Sequence, residues 1–294
     1  MSAKTSLLVE RNRVATGGAL KSLADTLTDN SQNIRLALDG IAAVLHAVFI
    51  YLACRKGPEM LSTNTEVLLL VAMSAITIFF HGVYGLGIYY DPKQPISLCG
   101  RELFTISLEK RNTLKWFEYS ITATLGTLSL AYTSSGHNEA SGPVLFFLAA
   151  VAVTEQTTGY LWDSIDSFKK EDSKNLRWPA YRAYFTTFLC QAAEFVVLFS
   201  VVHTHETPDD PTSPIVIPGS WYAYTITWSL FGIWAGLRPL NVNVGKWEIR
   251  GLDWLDDKGG IQVSEIGYSI LSTTAKISLF GTILQEEGFF TNST

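Results

Sequence analysis

Residues 261–284 read IQVSEIGYSILSTTAKISLFGTIL. As a helix rising about 1.5 Å per residue, this stretch crosses the roughly 30 Å hydrocarbon core of a bilayer. Lys276 sits near its middle. An ammonium group at that depth costs about 2.5–3.5 kcal/mol on insertion scales, so an intramembrane lysine points to function. A lysine close to a helix end can snorkel to the interface instead. Here about 12 Å of helix lies beyond Lys276 on its shorter side, and helical side chains lean back toward the N-terminus, deeper into the span. A buried amine of this kind is a nucleophile for a carbonyl, which is Schiff-base chemistry.

Outward from this stretch, the chain has the character of a membrane protein. It is 47% hydrophobic and only 17% charged, which excludes disorder. A net charge of −5 argues against a nucleic-acid partner. Cys54, Cys99 and Cys190 lack metal-ligand spacing, and an odd number makes no disulfide framework. Residues 1–35 lack the apolar run of a signal peptide, so none is expected, and weakly amphipathic pieces there suit a membrane surface.

Seven apolar runs follow, each long enough to span: Leu36–Cys54, Val67–Tyr90, Trp116–Tyr132, Pro143–Trp162, Tyr184–Val202, Trp221–Leu237 and Ile261–Leu284. Gly, Ser and Thr interleaved with bulky residues suit close helix packing. The expected organisation is a segment at 1–35, a seven-helix domain at 36–285 and a tail at 286–294. No internal repeat supports an inverted-repeat transporter. Basic residues set the orientation. Nineteen fall in the N-terminal segment and the connections after spans two, four and six, against Arg55 and Lys56 alone on the other side. This places the N-terminus in the cytoplasm and the C-terminus outside. The acidic, proline-rich loop 203–214 then lies outside, as does a glycosylation sequon at Asn292.

Orientation gives depth. Glu118, in LKWFEYSITATL, lies about 6–9 Å in from the cytoplasmic side by helical rise, and Lys276 about 18–20 Å in with its chain pointing back. The two charges can meet, and an opposite charge keeps a buried cation protonated. His46 and His81 lie about 13–15 Å in. Each alone reads as a neutral interior histidine, and with Glu118 they make a polar pocket able to receive a proton. A metal site is not expected, since no further ligand joins them. Lys115, Glu155 and Glu265 fall in the cytoplasmic half and read as a closing ion cluster. Glu194, in FLCQAAEFVVLF, is mid-membrane with no evident partner, and is either a neutral carboxyl or part of a proton path. No nucleophile–base set or cofactor loop marks an enzyme.

Seven spans, a lysine in the seventh within STTAK and an acid in the third resemble the retinal-binding microbial rhodopsins. The pump-like branch usually carries a carboxylate four residues before the lysine, where this chain has Ser272, and keeps its N-terminus outside. The motif KWFEYSITAT, with His46, His81 and SxxxK, is similar to the heliorhodopsins, the branch of reversed orientation. The resemblance covers about residues 36–285. It implies a rhodopsin-like bundle holding all-trans retinal on Lys276 as a protonated Schiff base, with Glu118 as counterion and Ser272 hydrogen-bonding nearby. Tyr119, Thr122, Trp228 and Phe231 would enclose the polyene. His46 and His81 would form the cytoplasmic-side pocket. Lys115, Glu155 and Glu265 would form the inner charged barrier, with Lys115 in place of a more usual arginine. The resemblance further implies a homodimer in a cell membrane with a slow, signalling photocycle and a signalling partner. The first outer loop, Arg55–Glu66, is short for such a dimer. Some viral members pass protons under light, and Glu194 bears on that alternative. Another alternative is a non-photoactive transporter or receptor.

Overall fold

The structure, a computed structural model, describes residues 26, 30–55, 64–90, 96–98, 101–104, 112, 114–135, 141–164, 173–205, 217–236, 242–244, 247–249 and 258–286. Within them run seven helices: α1 Ser31–Arg55, α2 Thr65–Tyr90, α3 Leu114–Ser134, α4 Gly142–Ser164, α5 Ser173–His205, α6 Gly219–Gly236 and α7 Lys258–Glu286. All seven apolar runs are helical over their described residues, Leu237 lying outside them. Most of segment 1–35, the loops at 56–63 and 206–216 and the tail from 287, with Asn292, lie outside the described residues, as does Cys99.

The helices pack in sequence: α1 on α2, α2 on α3, α3 on α4, α4 on α5 and α6 on α7, and α7 closes the ring against α1. Four of them, α1, α2, α4 and α5, are each long and apolar enough to cross a membrane. Their outward faces carry large apolar side chains such as Phe79, Phe146, Leu189 and Val196, all well exposed. In water such a surface would aggregate; in lipid it is the solvated face.

Two antiparallel hairpins depart from an all-helical reading. The strand β1 (Ile96–Leu98) pairs with β2 (Arg101–Phe104) after α2, and β3 (Val242–Val244) pairs with β4 (Trp247–Ile249) after α6. Both hairpins follow even-numbered helices, so they sit at one end of the bundle.

The interior is divided along its length. The apolar core, with Leu70, Met73, Leu130, Leu148, Leu198, Leu279 and Ile283 fully buried, fills one half. It is built from the beginnings of α2, α4 and α6 and the ends of α3, α5 and α7. Because lipid tails are as apolar as leucine, this half is held by packing fit rather than by removal from water. Apart from Glu66 in the first turn of α2, the buried acids, lysines and histidines occupy the other half and the boundary between the two. Helical periodicity puts them there. Lys115, Glu118, Tyr119 and Thr122 recur at i, i+3, i+4 and i+7 on α3, and Ser74, Thr77, His81 and Tyr84 form a similar stripe on α2.

Candidate functional site

Lys276 is 3% exposed and Glu118 1% exposed, and the ammonium of one bonds Oε1 of the other. The lysine Nζ also donates to Thr77 Oγ1 at 3.1 Å and lies 5.4 Å from the centre of the Tyr119 ring. Tyr84 donates its phenol to Glu118 Oε2 at 2.9 Å, so both carboxylate oxygens have donors. Thr122 bonds the Glu118 carbonyl oxygen at 3.0 Å, which fixes its hydroxyl to the helix rather than to the pair. Ser272 bonds Tyr119, the residue whose ring covers the amine. Two full charges out of water are tolerable only with this degree of pairing, and removing one partner of a buried pair costs about 3–5 kcal/mol.

From the lysine a pocket of about 670 Å3 runs between α3, α4, α5, α6 and α7. Its lining includes Trp116, Tyr119, Trp162, Phe188, Trp228 and Phe231. The rings brace one another: Tyr224 stacks on Trp228 at 4.5 Å, and Tyr119 meets Phe231 edge-on at 5.8 Å. Two glycines permit this closeness. A Cβ on Gly159 would stand 2.3 Å from the Trp116 ring, and one on Gly232 would stand 2.7 Å from Phe188.

A second, polar cavity of about 390 Å3 lies on the other side of the ion pair, bounded by Arg35, Asp39, His81, Tyr84, Glu118 and Glu265, among others. His81 Nδ1 is 2.7 Å from Asp39 Oδ1, and Arg35 reaches Gln262 Oε1 at 3.3 Å. The two histidines do not share this space. His46 pairs with Ser74 at 3.0 Å and is absent from the cavity lining.

The expected ion cluster differs in one member. Lys115 bonds Glu265 at 2.8 Å and Asp163 at 2.7 Å, with its ammonium 4.1 Å from the Tyr268 ring centre. Asp163 also takes the Trp116 indole N–H at 2.9 Å. The place assigned to Glu155 is thus filled by Asp163, because Glu155 faces α5 and hydrogen-bonds Glu194 instead. Glu194, expected to be alone, also accepts from Thr127, whose hydroxyl is 2.8 Å from Tyr224 Oη. Asp39, Asp163, Thr77 and Tyr84 were not singled out from sequence. Asp39 had a signal, lying one turn after Arg35 and seven residues before His46 on the same helical face. Asp163 follows an apolar run, where an acid normally marks only the interface.

No protein-family model matches the chain, and no curated protein matches it. Among solved structures, the crystal structure of the membrane protein Acetabularia rhodopsin I is similar, with 12% identity and a TM-score of 0.51 over 90% of this chain and 96% of that one. At that identity the likeness carries the fold alone: the chain has the seven-helix fold of the rhodopsin type.

Proposed function

We propose that this protein is a light-sensing retinal protein of the heliorhodopsin type. Lys276 would hold the retinal, and Glu118 would balance its charge. The observation that carries the reading is the placement of the amine: a buried lysine, paired with one carboxylate, in the lining of an aromatic pocket. A long, apolar, carbonyl-bearing ligand fits this donor set. The bare methylene edges of Gly159 and Gly232 leave flat aromatic walls rather than branched ones.

When bound, retinal supplies visible absorption and a light-driven change of shape. The chain's own residues do the rest. Lys276 provides the attachment nitrogen, and Glu118 holds the compensating charge. Tyr84 and Thr77 orient that pair, while Tyr119, Trp228 and Phe231 exclude water from the pocket. The polar cavity behind Glu118 gives a proton somewhere to go, and the Asp39–His81 pair lies within it. Support for the reversed orientation is the nineteen-to-two charge asymmetry, and Ser272 sits where pump-like relatives carry an acid. Homodimerisation, a cell-membrane location and a signalling partner belong to the same proposal.

Adding all-trans retinal to the purified apoprotein tests it. A visible band that is lost in Lys276→Ala is expected; no band, or a band surviving that substitution, rejects the assignment. A second reading, light-activated proton conduction, is favoured by the buried Glu155–Glu194 pair, of which Glu155 lines the pocket. Patch clamp separates the two, since conduction requires a photocurrent.

A further inference from the structure

Glu155 and Glu194 play no part in the pairing of Lys276, yet both are buried and Glu155 lines the aromatic pocket. They come from α4 and α5. Lys276 comes from α7, which packs on α1 and α6, whereas α4 packs on α3 and α5. Glu155 therefore lines the pocket from a helix other than those packed beside the one that carries the amine, and Glu194 meets it from α5. Thr127 of α3 donates to Glu194 Oε1, and Tyr224 of α6 bonds the same threonine. Cys190 of α5 and Tyr224 are the titratable groups near both carboxyls. Among the described residues neither acid has an ion-pair partner, Glu155 Oε2 and Glu194 Oε2 have no hydrogen-bond partner, and the two carboxyls bond each other. Two carboxyls can bond each other only if one carries a proton.

We infer that Glu155 and Glu194 form a one-proton site, separate from the Lys276–Glu118 pair, whose charge sets the colour of the ligand held in the pocket. With the proton in place the pair carries a single negative charge; when hydroxide removes it as water, the pair carries two. The colour half of this inference rests on the retinal reading. Excitation moves positive charge along a polyene away from its nitrogen. Added negative charge at the wall that Glu155 lines stabilises that excited state and shifts absorption to longer wavelength.

Infrared spectra of the retinal-free protein test the proton site directly. The carbonyl stretch of a protonated carboxyl should be present in the wild type and in Glu118→Gln, and should lose a component in the Glu155→Gln/Glu194→Gln double variant. A double variant indistinguishable from wild type in that region overturns the site. In the retinal-loaded protein, raising the pH should red-shift the visible band, and the Glu155→Gln/Glu194→Gln double variant should abolish that shift. The same shift in wild type and the double variant overturns the colour role. If no visible band forms in any of them, the retinal reading fails, while the infrared comparison still decides the proton site.

Discussion

At the scale of single residues, the account turns on one cation and one anion that have no water to fall back on. Glu118→Gln keeps shape and hydrogen bonding but removes the charge nearest the attachment nitrogen. The ground state loses more stabilisation than the excited state, so the visible band should move to longer wavelength; an unchanged spectrum places the counterion elsewhere. Glu118→Ala in the retinal-free protein leaves Lys276 buried without its carboxylate and should cost about 3–5 kcal/mol in thermal or denaturant unfolding. Tyr84→Phe removes one donor to a charged acceptor, and its expected cost is smaller, about 1.5–3 kcal/mol. Lys276 and Glu118 were legible in the sequence because a charge inside an apolar run has few explanations. Thr77 and Tyr84 were not, because hydroxyls are common in packed membrane helices and only the partner's position gives them meaning. Asp163 escaped notice for a related reason: at the end of a span, an acid needs no explanation.

At the scale of elements, helical rise converts residue number into depth but says nothing of which neighbour a side chain faces. This is why Lys115 and Glu265 were correctly grouped while Glu155 was assigned to the wrong partner. All three share the half of the bundle expected to face the cytoplasm, but Glu155 lies on the face of α4 that meets α5. The same limit separated His46 from His81. Both are buried, yet one faces Ser74 and the other Asp39. The hairpins were missed because strands of three or four residues carry too little alternation to stand out beside helices of 18 to 33 residues. Close packing of α3 on α4 gives a prediction at this scale. Gly159→Ala would push a methyl group into the Trp116 ring, which Asp163 anchors through its indole N–H. Overpacking of this kind costs about 1–3 kcal/mol, measurable as a lower unfolding temperature. A variant as stable as the wild type would mean that the ring moves freely.

At the scale of the whole molecule, the number and order of the helices were legible in the seven apolar runs. The division of the interior into an apolar half and a polar half was legible in part from the depth of the charged residues. Orientation rests on the basic residues, and a tag at the N-terminus should be reachable only from the cytoplasmic side of intact cells; labelling from outside would reverse it. Every functional statement, however, returns to the amine of Lys276. The most direct test is to load the protein with retinal, reduce it with borohydride in the dark, digest it and locate the added mass. The account predicts a retinyl group on Lys276 alone. A modified lysine elsewhere, or an unmodified Lys276 in a coloured protein, contradicts it.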